Sequence, residues 1–533
     1  MRTDVRRGKT LRRLAGDDAQ VNNEWNCDKG RWAFKYISQS DRITTPLVRD
    51  AQGVLREASW PEALAVAAAG LSVNRAAVLV GGRATAEDAY GYSKFARVAL
   101  KTNDIDFRAR PHSEEERSFL SSVVVGSSVT YSAIDKADHV VLLGFEAEEE
   151  SPIVFLRLFK QVRKRGMKVT AVAPFTTRAN QKLKAHVIKT TAGNEANEII
   201  NIAGLTNKSV ILVGERLAES QGALSAATKI AQSSGAHLAW IPRRAGERGA
   251  LEAGAIGTLL PGGRPVTDSA ARIDIQSAWG VSSLPTTVGH STSEILDALH
   301  TGDIDSLLIG GVDPLDISRD AAKGLEKAFV VSLEIRKSQI TELANVVLPV
   351  AAVTEKSGTF INWEGRARSF EAAIDAPNLR SDVRILSMLA DEMGTPINLP
   401  TVEAAAREMN SLGVWDGARV TFTPANAGSI SGETILSSWR LLLDAGSLQD
   451  GEVNLAKTAH PSVAVISADR AGKLGVINGD RVTISSSVGS ITLPVEIADI
   501  DSKTVWIPRN SQSSRAIALL GAASGIEVSV VKA

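Results

Sequence analysis

Cys27 is the only cysteine among 533 residues, so no internal disulfide can form and no disulfide framework holds the fold. Such scarcity suits a reducing compartment. An iron–sulfur cluster takes about four thiolates, so if Cys27 is a ligand its partners must come from outside this sequence. Long apolar runs are also missing. The stretch Asn345-Val346-Val347-Leu348-Pro349-Val350-Ala351-Ala352-Val353 is short and contains a proline, whereas a membrane-spanning helix needs about 18 apolar residues. Excess charge of one sign is absent: Lys+Arg and Asp+Glu both total 60, giving a net charge of +0. No overall field then steers the chain towards nucleic acid or anionic lipid. Low colloidal repulsion suits a subunit held in a larger assembly.

Several catalytic signatures are missing as well. There is no G-x-G-x-x-G, no Walker A, no H-E-x-x-H and no G-x-S-x-G, and the seven histidines are scattered, so a zinc site is not expected. Arg6-Arg7 and Arg12-Arg13 resemble export arginines, but Asp17-Asp18-Ala19-Gln20 follows them instead of an apolar region. They read as a solvated basic hairpin or loop.

The hydrophobic fraction of 44% and the length are ample for about three or four packed domains. Residues 1–50 are rich in charge and aromatics (Trp25, Trp32, Phe34, Tyr36) and predict a small β or irregular module. From 51 to about 400, β-branched runs alternate with alanine-rich helical patterns. Ala76–Val80, His139–Leu143, Lys168–Val172, Ser209–Val213 and Ser306–Ile309 each read as a strand buried on both faces, so the expected fold class is α/β with parallel, doubly wound sheets. Residues 401–455 form a connecting region with Gly and Pro punctuation between Pro424 and Gly432. From 456 to 533 the period changes: Val482 and Ile484, then Ile491, Leu493, Val495 and Ile497, alternate with polar residues around Ser487-Val488-Gly489. That predicts a hairpin within a small C-terminal β-barrel.

Five charged or glycine-rich segments are candidates for chemistry. Val80-Gly81-Gly82-Arg83 and Leu143-Gly144 follow strands, but Glu146, Glu148, Glu149 and Glu150 crowd the second loop and would repel a phosphate, so these glycines read as turn residues. His112-Ser113-Glu114-Glu115-Glu116-Arg117 reads as a solvated helix start rather than an acid/base cluster. The three arginines and two glutamates in residues 241–254 read either as an internal ion-pair network or as an interface. Glu355–Arg366, beyond a strand end, reads either as a ligand loop or as a structural plug.

Cys27-Asp28-Lys29-Gly30-Arg31, followed by Asp41-Arg42-Ile43-Thr44-Thr45-Pro46-Leu47-Val48-Arg49, resembles the molybdopterin oxidoreductase superfamily, where the fourth cluster cysteine precedes Gly-Arg and an entry strand. The closer resemblance is to the large-subunit family of bacterial NADH:quinone oxidoreductase, complex I. It rests on Asn22-Asn23-Glu24-Trp25-Asn26-Cys27, on residues 242–250, on Gly310-Gly311-Val312-Asp313-Pro314 and on residues 358–366, and it covers the whole chain. Ala459-His460-Pro461 and residues 474–480 resemble the superfamily's C-terminal dinucleotide-binding barrel.

The resemblance implies a remnant of a 4Fe-4S module at 1–50, two interleaved molybdopterin oxidoreductase-like α/β domains at 51–400, and a barrel at 456–533. It implies Cys27 as the fourth ligand of a 4Fe-4S cluster. Family members carry three more cysteines just before the segment matching Arg2-Thr3-Asp4, so the cluster is not expected to assemble from Cys27 alone. No cysteine stands near residues 110–125, where molybdenum enzymes of the superfamily ligate the metal, and Ala173-Pro174-Phe175 replaces an acidic residue followed by Pro-Arg. A bound molybdopterin is therefore not expected. The implied role is a scaffold subunit without catalytic residues, partnered by the other peripheral-arm subunits on the cytoplasmic side of the membrane. The rival readings are a molybdenum bis-pterin enzyme of the formate dehydrogenase type and a nucleotide-sensing binding module.

Overall fold

The computed structural model describes residues 1–73 and 75–533. Each apolar run read from the sequence is a strand, and each is buried because helices cover both faces of its sheet. One sheet has five parallel strands in the order His237–Ile241, Ser209–Gly214, His139–Leu143, Lys168–Ala173 and His186–Lys189. A second has seven: Leu55–Glu57, Leu47–Arg49, Val346–Pro349, Phe329–Glu334, Ser306–Gly310, Ala76–Val80 and Ile105–Asp106. Its last five strands are parallel, and the first two form an antiparallel edge. The chain leaves this sheet after Ile105–Asp106, builds the whole five-stranded sheet, and returns at Ser306–Gly310.

Helix ends are set by local chemistry. Pro152–Arg165 starts with proline, which lacks the N–H that a first helical turn leaves unpaired, and stops at Gly166 in the left-handed region (φ 68). Thr85, Ser113, Thr177 and Ser381 each cap the helix that follows them through a side-chain oxygen.

The C-terminal sheet has six strands in the order Ile435–Trp439, Thr504–Pro508, Ala464–Ile466, Ser490–Ile497, Arg481–Ser485 and Ser529–Lys532. It curls into a half-barrel. The first strand comes round to the segment before the last, where Leu436 N donates to Ile526 O (2.9 Å) and Val528 N to Thr434 O (2.9 Å). The alternating apolar residues Val482, Ile484, Ile491, Leu493 and Val495 face the inside, as their period requires. At the other end of the chain, Arg2–Arg6 and Lys9–Leu14 form a two-stranded hairpin packed on the short helix Asp28–Trp32. Among the described residues no helix is long and apolar enough to cross a membrane.

Candidate functional site

In open α/β sheets, ligands gather beyond the carboxyl ends of the strands, where the strand order reverses. The five-stranded sheet reverses between His139–Leu143 and Ser209–Gly214, and the seven-stranded sheet between Ala76–Val80 and Ser306–Gly310. At both points glycine backbones of neighbouring segments meet. Gly81 N donates to Gly310 O (2.8 Å), and a Cβ on Gly81 would lie 2.6 Å from that same oxygen. A Cβ on Gly214 would collide with the Gly144 carbonyl, and one on Gly144 (φ +56) would lie 2.6 Å from Leu217 N. Glycine is needed at these positions for close approach of two chain segments.

The space between the sheets is taken up by ion pairs. Arg110, just beyond Ile105–Asp106, pairs with Glu116 (2.8 Å), Glu247 (3.2 Å) and Glu215 (3.3 Å). Arg244 reaches Glu247 (3.3 Å), Glu215 (3.7 Å) and Asp316 (3.9 Å). Asp316 pairs with Arg440 of the C-terminal region. Arg440 (3.1 Å), Arg243 (3.3 Å) and Lys29 (2.8 Å) then converge on Asp444, whose side chain is 1% exposed. Arg108 adds a two-toothed contact to Asp106 (2.7 Å at the shorter) and lies 3.8 Å from Glu116.

The six carboxylates of Asp106, Glu116, Glu215, Glu247, Asp316 and Asp444 thus face the six cations of Lys29, Arg108, Arg110, Arg243, Arg244 and Arg440 in one connected set. Burial opposes the charge on Asp444, but Arg243, Lys29 and Arg440 outweigh it and hold this carboxyl well below the usual range. Burial likewise opposes the charge on Glu215, and Arg244 and Arg110 bring it down to about 2. Burial draws the Lys29 ammonium down to about 8 against the pull of Asp444.

The crevice of the five-stranded sheet carries an aromatic plug. Phe175 stacks on Trp439 (5.5 Å between ring centres, 21°) and meets Trp506 edge-on (5.7 Å, 66°), while the Arg216 guanidinium lies 5.0 Å from the Trp439 ring centre. Asp501 N donates to Pro174 O (2.8 Å), fastening the half-barrel to the loop that carries Phe175. Beside the plug Glu146 is buried, and its pKa is pushed up to about 8 by burial and by the neighbouring carboxylate of Glu150.

The structure decides two readings that the sequence left open and corrects a third. Residues 241–254 form an internal network: besides Arg243 and Arg244, Arg248 donates to Trp363 O (3.0 Å) and Ser127 O (2.9 Å) and pairs with Glu252 (2.7 Å). Glu355–Arg366 is structural. Glu355 holds Arg42 (2.6 Å), Lys356 holds Asp88 (2.5 Å) and Asp382 (2.9 Å), and Gly358–Ile361 pairs with Ala367–Phe370 as a ribbon. The helix start at 112–117 is not solvated as expected. Glu116 is buried against Arg110, and Glu115 accepts from Gly222 N (2.8 Å) and Ser225 N (2.6 Å), capping the helix Ala223–Ser234. Adjacent like charges look solvated in a sequence because their partners lie up to about a hundred residues away.

Cys27 is half-buried and caps the helix Asp28–Trp32, its Sγ accepting from Gly30 N (3.3 Å). Met1 lies against the same helix: both its sulfur and that of Cys27 come within 3.4 Å of where a Gly30 Cβ would stand. No group of three or more His, Cys, Asp or Glu placed to hold a metal occurs among the described residues. One thiolate supplies one of the about four ligands that a cluster takes, so these residues alone do not fit a complete cluster.

Comparison with known proteins places this geometry. Residues 42–392 match the family model described as molybdopterin oxidoreductase, and residues 445–528 match the molydopterin dinucleotide binding domain. The NADH-quinone oxidoreductase G subunit of Mycobacterium bovis is 51% identical over 96% of this chain and 67% of its own length. Its counterpart in Streptomyces coelicolor is 47% identical over 96% of this chain and 66% of its own. The chain thus spans about two thirds of the length of these relatives. An F420-dependent formate dehydrogenase 2 subunit alpha of Methanococcus maripaludis is 27% identical over 70% of the chain and 65% of its own length. Among solved structures, acetylene hydratase from Pelobacter acetylenicus shares the fold, with a TM-score of 0.62 over 95% of this chain and 94% of that one at 13% identity.

A pterin dinucleotide is the cofactor that the family names imply, and the residues present do not fit it. Glycine backbones of neighbouring segments meet at both switch points, the aromatic plug fills the space beside one of them, and Arg110, Arg244 and Arg440 are already paired with carboxylates of the chain itself. Matched by family models over most of its length, and sharing half its residues with a G subunit of NADH-quinone oxidoreductase, the chain belongs to the molybdopterin oxidoreductase family, in the branch formed by those G subunits.

Proposed function

We propose that this chain is a scaffold of the peripheral arm of an NADH:quinone oxidoreductase. It holds neighbouring subunits in place while electrons pass from NADH through iron–sulfur centres to quinone, and it supplies no catalytic residue of its own. The observation that carries this reading is the ion-paired junction that joins the two sheets to the C-terminal region, in a sequence half identical to the mycobacterial G subunit. A buried network of this kind tolerates no loose partner, because a lone buried charge costs several kcal/mol, roughly 3–5 when one member of a pair is removed. Such a junction favours rigidity over ligand exchange.

In this reading Cys27 is the fourth ligand of a 4Fe-4S cluster whose other thiolates lie outside this sequence. The helix cap supports the assignment, since the Gly30 amide already points at the sulfur and would stabilise a thiolate. Limits near residues 50 and 400 serve as working domain boundaries, and the C-terminal limit moves from 455 to before Ile435, where the first strand of the half-barrel begins. The chain's place is the cytoplasmic face of the membrane, reached through the other subunits.

The test is purification through a tag on this chain, from cells that express it at its natural level. NADH-dependent quinone reduction should co-purify with it and disappear when the chain is deleted. A chain that came off alone and reduced a dye with formate would reverse the assignment in favour of a molybdenum enzyme.

A further inference from the structure

The N-terminal hairpin stands out because its tip has no counter-charges among the described residues. Arg2–Arg6 and Lys9–Leu14 turn through Arg7 (φ 52) and Gly8 (φ 71), the tight two-residue turn whose twist matches antiparallel strands. At the anchored end, Arg13 is buried, donates to Ala33 O (3.3 Å) and lies over the Phe34 ring. Arg2 and Arg12 are drawn onto Asp4 (3.4 and 2.6 Å). Arg6, Arg7 and Lys9 are exposed and have no acidic partner among the described residues. Among the described residues the two strands pair only with each other, and a two-stranded hairpin is at best marginally stable in water by itself.

We infer that this hairpin tip docks onto an acidic polypeptide surface. Three observations favour protein over lipid or nucleic acid. The cations are confined to one tip of a chain with a net charge of +0, so no broad field draws in a membrane or a polyanion. The same module exposes Trp25 (62%), Trp32 (43%) and Leu11 (56%), and tryptophan with arginine is the composition of protein interface hot spots. Two adjacent arginines on a fixed turn can each take a carboxylate two-toothed, a geometry that rewards a structured acidic partner. The inference builds on the reading of the chain as a member of an assembly, and its test does not use that assembly's activity.

The test uses the full chain and a labelled poly-L-glutamate of about 15 residues, followed by fluorescence anisotropy at low and physiological salt. Phosphatidylglycerol vesicles and a DNA duplex of about 20 base pairs are run in parallel. The triple variant Arg6→Glu/Arg7→Glu/Lys9→Glu should weaken polyglutamate binding at least about tenfold. Lys164→Glu/Lys208→Glu/Lys229→Glu makes the same charge change at exposed positions elsewhere and should shift it less than about twofold. Because Arg6, Arg7 and Lys9 are exposed, as are the three control lysines, both variants should keep the parent's circular dichroism. Equal losses in the two triples, or tighter binding to vesicles or duplex than to polyglutamate, would overturn the inference. Failure to co-purify with quinone reduction would count against the assembly and leave this result standing.

Discussion

Asp444 is the residue on which three lobes of the molecule depend, since Lys29, Arg243 and Arg440 all end on its carboxylate. Asp444→Asn removes the buried charge that holds the partly buried Lys29 and Arg243, while Arg440 keeps Asp316, so the folding free energy should fall by about 3 kcal/mol, read from the urea midpoint at pH 7. The folded carboxyl titrates below its unfolded value. Its contribution is therefore present above the unfolded pKa of about 3.9 and is lost as pH falls towards the folded value, and the gap between parent and variant should close in acid. Glu146 has the opposite sign. Its folded pKa, raised to about 8, means that ionisation penalises the folded state increasingly from about pH 4.3 up to about pH 8. Glu146→Gln should raise the melting temperature at pH 8 and leave it nearly unchanged at pH 4. An equal shift at both pH values would remove Glu146 from this account. Neither residue was visible as special in the sequence, where Asp444 is one of many acids and Glu146 one of four in close succession.

At the scale of elements, strands were legible and what lies beyond their ends was not. A run such as Ala76–Val80 declares itself because burial on both faces demands five apolar residues in succession. The C-terminal hairpin was equally plain from its period of two. Trp439 and Trp506 carried no such signal: they stand on two neighbouring strands far apart in sequence, and they meet Phe175 only after the half-barrel has docked. Phe175 itself was readable as a departure from the family, but not as a plug. Removing the buried Trp439 ring (Trp439→Ala) should cost about 3–5 kcal/mol. In a double-mutant cycle with Phe175→Ala, the pair should show a coupling of about 0.5–1.5 kcal/mol in denaturant titrations. Additive losses would mean that the stacked rings do not hold the half-barrel to the five-stranded sheet.

Taken as a whole, the molecule is two α/β sheets and a half-barrel whose mutual junction is a balanced set of charges. A net charge of zero is the whole-chain trace of that balance, but it says nothing about which acid meets which base, because partners such as Arg110 and Glu247 are 137 residues apart. The family resemblance foretold the architecture, and the side chains show how its parts are joined: through paired charges and an aromatic plug. The most direct measurement is molybdenum and pterin content on the assembly purified while it reduces quinone with NADH. The account predicts full activity with molybdenum far below one atom per chain and no pterin released on acid oxidation. About one molybdenum and about two pterins per copy of this chain would contradict it.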